Sequence, residues 1–188
     1  MHAAIRNKLI LLTYMENINR SKCALSPMTE QLFNTQIAME GNSSARYLAM
    51  ASWCDTRGYK RAAAFLYRHA EEEREHMMKL FHYVNDVGGQ AAHPDIVDVQ
   101  HDFQSFRQVF ELVLAHEAKV TQAVHELADH CLAVKDFATF NFLQWFVAEQ
   151  IEEETLARRA LELFDVIGEE GIGLYTIDKA LGALHRDA

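Results

Sequence analysis

The chain has 188 residues, of which 49% are hydrophobic, and it carries a formal net charge of −9 at pH 7. This length is enough for one domain with a sizeable core, and a content of 2 prolines and 8 glycines favours helices. The acidic balance argues against non-specific nucleic-acid binding, which needs a basic surface, so we expect no nucleic-acid partner.

The N-terminal residues do not share the pattern of the rest of the chain. An apolar run over residues 9–12 follows two basic residues, as at the start of a signal peptide, but no convincing small-residue cleavage site follows. The run is too short to span a membrane, and we expect no membrane partner. We interpret residues 1–24 as an N-terminal extension of uncertain status, or a start codon placed too early with Met15 as an alternative, and residues 25–188 as one domain.

The cysteines indicate a reducing compartment. Cys23, Cys54 and Cys131 are odd in number, lie far apart and show no zinc-like spacing. We therefore expect reduced thiols and a cytoplasmic location.

Four long helical patterns and one short pattern follow the extension. A capping serine and a proline open the first, and glycines follow the first, second and fourth. The last carries a single apolar stripe. The predicted helices span residues 26–57, 59–87, 105–132, 137–167 and 175–185.

The lengths of the connections predict the topology. Only very short loops connect the first helix to the second and the third helix to the fourth. Because a short loop makes the chain reverse direction, each of these two pairs should be antiparallel. The middle connection of about 16 residues can reach roughly 55 Å, whereas a helix of about 29 residues is roughly 43 Å long. We therefore predict an all-α, ferritin-like four-helix bundle with one long crossover loop and a short fifth C-terminal helix.

Each long helix places a carboxylate in its apolar stripe near its midpoint. These residues are Glu40, Glu73, Glu117 and Glu153, and no lysine or arginine shares the stripes. An unpaired buried carboxylate costs several kcal/mol, whereas a whole domain is stable by only about 5–15 kcal/mol. Because His76 lies three residues after Glu73, both can face one metal. The cluster predicts a site for divalent iron, manganese or zinc.

Several of the neighbouring residues also fit a structural role. Glu72 and Glu152 suit a solvated surface as well as a metal site. His69 suits a hydrogen-bonded core histidine better than a ligand, and Trp145 suits packing.

Five segments resemble those of bacterial non-haem ferritins. They lie at residues 50–54, 62–66, 69–76, 141–154 and 173–179, and the resemblance covers residues 25 to 184. It implies an iron-storage protein that oxidises Fe(II) with O2 or H2O2 at a di-iron ferroxidase centre. It further implies a homo-oligomeric cage of twenty-four subunits that holds an Fe(III) mineral.

The resemblance also implies iron ligands. The first iron position would be held by Glu40, Glu73 and His76. Glu73 would bridge to a second iron, which Glu117 would also bind.

Further side chains would surround these two positions. Gln150 would be either a ligand of the second position or a nearby hydrogen-bonding group, and Glu153 would be a further acid there. Tyr47 would stand beside the centre to give an electron or order the site. A third iron position would use Glu72, Glu149 and Glu152, with Glu153 shared.

One motif departs from related di-iron proteins. The fourth helix has Gln150-x-x-Glu153 where bacterioferritins have Glu-x-x-His, so the second position should hold metal less firmly than the first. No clear basis for haem binding is present. The alternatives are a fixed di-metal oxidase or peroxidase of the same fold, a non-catalytic metal-binding bundle, and a bacterioferritin, which this motif disfavours.

Overall fold

The computed structural model describes residues 24–184, and this part of the chain is all-α. Of the predicted N-terminal extension, only Ala24 is described, and its N–H donates to the carbonyl of Val87. The four long helices begin and end within one residue of their predicted bounds. The five helices are α1 (Pro27–Thr56), α2 (Lys60–Asp86), α3 (Phe106–Ala133), α4 (Phe137–Ile167) and α5 (Gly173–Leu181).

Side-chain caps explain where three of the long helices begin. The Ser26 hydroxyl accepts from the N–H of Thr29 at 3.1 Å, which starts α1. The Ser105 hydroxyl does the same at the start of α3, and the Asp136 carboxylate at the start of α4. Each cap satisfies an N–H that the helix leaves unpaired in its first turn.

The predicted bounds of the short fifth helix were wrong at its start. The helix begins at Gly173, two residues before the prediction, and its last residue is Leu181. The predicted end, His185, lies outside the described residues. Gly173 is the first residue of the helix, and a Cβ at this position would collide with the carbonyl oxygen of Gly168. The glycine allows the backbone to turn tightly into α5.

Contacts at the two ends of the bundle establish its topology. Thr29 near the start of α1 lies 3.2 Å from the ring of His130 near the end of α3. At the opposite end, the Tyr59 ring before α2 stacks on Phe106 at the start of α3, with ring centroids 3.9 Å apart. α2 and α3 therefore begin at the same end and are parallel, so the predicted crossover is confirmed.

Two asparagines of α1 hold the crossover loop along the bundle. Asn34 donates to the carbonyl of Gln90 and accepts from the N–H of Ala92. Two turns later, Asn42 accepts from the N–H of Val97 at 2.8 Å. The loop follows α1 toward the end where α3 begins.

Two apolar clusters fill the bundle and leave a gap between them. One contains Phe110 and Phe164 toward the start of α3, and the other contains Phe33 and Leu143 toward its end. In each long helix, the predicted carboxylate lies between the residues of the two clusters. The apolar packing therefore encloses a polar layer at mid-height.

Helix α5 caps the start of α2. One carboxylate oxygen of Asp178 accepts from the N–H groups of Arg61 at 3.1 Å and Ala62 at 2.9 Å. The preceding residue, Tyr59, provides no side-chain cap. A negative charge at this position also interacts favourably with the positive N-terminal end of the helix dipole.

The described cysteines are buried free thiols. Burial raises the pKa of Cys54 to about 12 and that of Cys131 to about 11, so neither ionises readily. Cys23 lies outside the described residues.

Among residues 24–184, no helix is both long and apolar enough to cross a bilayer.

Candidate metal centre

Four acids occupy the polar layer, one from each long helix. Glu40, Glu73, Glu117 and Glu153 are each at most 2% exposed. A carboxylate taken out of water needs hydrogen bonds, a proton or a cation. The groups next to each acid therefore determine whether it is hydrogen-bonded, protonated or able to bind a cation.

The first group contains Glu40, Glu73 and His76. One ligand atom from each residue lies within 4.8 Å of the other two. Oε1 of Glu40 accepts from the Gln36 amide at 2.7 Å. Oε2 of Glu40 and Oε2 of Glu73 are buried and have no hydrogen-bond partner in the described part of the chain. Two such oxygens beside an imidazole fit a divalent cation.

The second group is built around Glu117. The phenol of Tyr47 donates to Oε1 of Glu117, and the amide of Gln150 donates to Oε2 at 3.2 Å. These two bonds orient the carboxylate. Gln150 is thus placed as a hydrogen-bonding partner of an acid, which is one of the two roles expected from its position.

Glu153 joins two further groups. With His69 and Glu72 it forms one possible metal group, in which Nδ1 of His69 lies 3.3 Å from an oxygen of each acid. With His76 and Glu149 it forms another. Glu153 belongs to both groups, so it lies between the buried layer and the less buried Glu72 and Glu149.

Burial and mutual repulsion shift the titration of the acids. Burial, followed by the charges of Glu117 and Glu40, raises the pKa of Glu73 well above its usual value. Burial and the charge of Glu153 raise the pKa of Glu117 to about 8, and burial raises the pKa of Glu40. The layer therefore holds protons at neutral pH unless a cation replaces them.

Comparisons with known proteins identify the family of the chain. Residues 30–167 match the ferritin-like domain. A probable bacterial non-heme ferritin-like protein from Haemophilus influenzae is 42% identical over 87% of this chain and 99% of its own. The bacterial non-heme ferritin of Campylobacter jejuni is 40% identical over 82% of this chain and 93% of its own.

The chain belongs to the ferritin family. An open-pore ferritin from Archaeoglobus fulgidus has the same fold, with a TM-score of 0.82 and 37% identity over 86% of this chain and all of that one. The resemblance to bacterial non-haem ferritins, indicated by the sequence motifs, is confirmed.

Within this ferritin fold, one predicted ligand lies apart from the others. Glu152 is exposed and belongs to none of the possible metal groups among residues 24–184. Glu149 and Glu153 are four residues apart and lie in one of these groups, whereas Glu152 lies on the solvent-exposed side of α4. The remaining predicted ligands are buried or half-buried around the layer.

Two polar partners were not predicted from the sequence. Gln36 precedes Glu40 by one helical turn, a spacing that could have indicated its hydrogen bond. His69 is buried, as expected for a hydrogen-bonded core histidine, but the two acids that it contacts were not predicted. Its spacing of three residues from Glu72 gave a signal, whereas its contact with Glu153 depends on tertiary packing.

Proposed function

We propose that this protein is an iron-storage ferritin that oxidises Fe(II) with O2 or H2O2 and keeps the Fe(III) product as a mineral. The observation that carries the proposal is the pair of buried oxygens, Oε2 of Glu40 and Oε2 of Glu73, without hydrogen-bond partners in the described residues. A bound cation would remove the free-energy penalty of burying them. Iron is the substrate at this position.

Two Fe(II) ions would bind side by side. Glu40, Glu73 and His76 would hold the first, and Glu73 would bridge to the second, which Glu117 would also bind. Gln150 and Glu153 would complete the second position. Because an amide carries no charge, the second position would release iron more readily than the first.

The protein's own residues would favour oxidation in two ways. Iron binding would displace protons from acids whose pKa values are raised, and the resulting carboxylates stabilise Fe(III) more than Fe(II). Tyr47 would hold Glu117 in place and could supply an electron. The catalytic set is thus Glu40, Glu73, His76, Glu117 and Tyr47.

A third iron position would lie next to Glu153. Glu72 and Glu149 are half-buried and each forms a possible metal group with Glu153. Exposed Glu152 would act where iron leaves the bundle. This arrangement supports stepwise transfer of iron out of the centre rather than permanent retention.

We further propose that residues 25–188 form the ferritin domain and that it assembles into a homo-oligomeric cage of twenty-four subunits in the cytoplasm, without haem. The extent of the match to bacterial non-heme ferritins supports this assembly. Residues 1–24 would be an extension outside the domain.

The experiment is aerobic addition of Fe(II) to metal-free protein, with oxygen consumption, absorbance and particle size recorded. The wild type should show a fast phase that saturates at about two Fe(II) per subunit, followed by growth of a soluble mineral. Glu73→Gln keeps the side-chain shape but removes the bridging charge, and it should lose the fast phase.

Exposed Glu75 on the same helix provides the matched control. Glu75→Gln should keep the fast phase. A fast phase that persists in correctly assembled Glu73→Gln protein would contradict the site. Wild-type protein that turns over repeatedly without accumulating mineral would instead indicate a fixed di-metal oxidase.

A further inference from the structure

A small cavity lies beside Tyr47, which also contacts the carboxylate layer. It has a volume of about 80 Å³ and lies between α1, α3 and the end of the crossover loop. Much of its wall is apolar. This part of the wall includes Met50, Phe103, Leu112 and Val113.

Two cations from different helices line the same cavity. Arg46 comes from α1 and Lys119 from α3. Neither forms an ion pair with any residue in the range 24–184. The two charges at the cavity are therefore available to a ligand.

The guanidinium of Arg46 independently indicates that the cavity binds a ligand. Its Nε is shielded from solvent and has no hydrogen-bond partner among the described residues. A buried donor left without an acceptor is costly, and charged donors are the costliest. An anionic oxygen in the cavity would satisfy this group and match the planar donor geometry of arginine.

We propose that this cavity binds a small organic anion, in which a carboxylate is carried on a short apolar body. The carboxylate would lie against Arg46 and Lys119, and the apolar body would lie against Met50, Phe103 and Val113. A cavity of about 80 Å³ has room for a ligand of only a few heavy atoms. Inorganic phosphate is a poorer match, because it has no apolar part to lie against these side chains.

A ligand in the cavity would contact a residue that orients the carboxylate layer. Tyr47 lines the cavity and also donates a hydrogen bond to Glu117. A bound anion would therefore contact the side chain that orients an acid of the carboxylate layer. The binding itself does not depend on iron or on the proposed oxidation.

Saturation-transfer NMR and calorimetry on the assembled, metal-free protein test the proposal with three probes. Propionate carries both features of the proposed ligand and is small enough for a cavity of about 80 Å³. Its analogue 1-propanol lacks the charge, and inorganic phosphate lacks the apolar body. Propionate should bind with a Kd below about 10 mM, and at least tenfold more tightly than either of the others. Failure of propionate to bind, or equal binding of 1-propanol or phosphate, would overturn the proposal.

Substitutions then locate the site. Arg46→Gln combined with Lys119→Gln should weaken propionate binding at least tenfold. Arg74→Gln, at an exposed arginine of α2 outside the cavity, should leave propionate binding unchanged. Unchanged propionate binding in the double variant would place the ligand elsewhere and refute the assignment.

Discussion

The phenol of Tyr47 on α1 donates a hydrogen bond to Oε1 of Glu117 on α3, so the two helices are joined beside the carboxylate layer. Both side chains are at most 2% exposed. Burial, with the charge of Glu117 next in importance, raises the pKa of Tyr47 well above its usual value. The phenol therefore remains a donor throughout the physiological pH range, and it can hold Glu117 in one orientation.

Removing this hydrogen bond should slow oxidation without changing the fold. Tyr47→Phe leaves Oε1 of Glu117 without its donor, and loss of such supporting contacts typically weakens a metal site roughly tenfold or more. We expect the fast phase of Fe(II) oxidation in stopped-flow measurements to slow by at least this factor. Tyr67→Phe, at an exposed tyrosine of α2, is the control and should behave like the wild type. Equal rates in the two variants would exclude a role for the Tyr47 hydroxyl.

The metal-free protein should lose stability as the pH rises. The pKa of Glu117 is raised from 4.5 to about 8, mainly by burial, so the folded state binds more protons than the unfolded state between these values. The free energy of unfolding then falls with increasing pH, by a few kcal/mol in total. Thermal melts of metal-free protein at about pH 5.5 and about pH 8 should show the lower midpoint at the higher pH.

Two controls accompany these melts. Zn(II) should remove most of the pH dependence, because a cation replaces the protons. Glu117→Gln should also reduce it, whereas Glu111→Gln, at an exposed acid on the same helix, should not. A metal-free protein that becomes more stable toward pH 8 would show that these acids are not buried as described.

Replacing Gln150 with an acid should make the centre retain metal more firmly. Gln150→Glu replaces an amide that donates to Glu117 with a second anion beside it. We expect a lower melting temperature without metal, because of repulsion between the two carboxylates, and more iron retained after dialysis. Metal analysis and thermal melts measure both effects. Gln144→Glu, at an exposed position of the same helix, should change neither, and unchanged retention in Gln150→Glu would argue against a metal position there.

The contact between α5 and α2 should contribute measurably to stability. Asp178→Ala removes the acceptor for the N–H groups of Arg61 and Ala62, and loss of such a cap costs about 1–2 kcal/mol. Asp165→Ala breaks a surface ion pair with Arg107 and should cost less than about 1 kcal/mol. Chemical denaturation compares the two variants. Equal losses would mean that the cap is no more important than an exposed ion pair.

The helices could be predicted from the sequence because local signals mark their ends. Ser26 and Ser105 cap two of them through contacts within one turn. The start of α5 was predicted two residues too late, because the role of Gly173 depends on the carbonyl of Gly168, five residues earlier. A glycine that breaks a helix and a glycine that permits a tight approach look alike in a sequence.

The depth of the four acids followed from helical periodicity, whereas their detailed surroundings did not. Periodicity places a residue on a face, but it does not say which side chain of another helix lies opposite. The contact of His69 with Glu153 joins α2 to α4 and could not be derived from spacing. The same holds for Gly41, where a Cβ would lie 2.9 Å from the ring of Pro94 in the crossover loop.

The cap that Asp178 provides bears on how the chain folds during synthesis. The N–H groups of Arg61 and Ala62 acquire their acceptor from a residue more than a hundred positions later. While the ribosome is still making α3 and α4, the first turn of α2 has only water as its partner. Completion of the last helix thus stabilises one of the first, and a nascent chain truncated before residue 178 should remain more accessible to proteases at the start of α2.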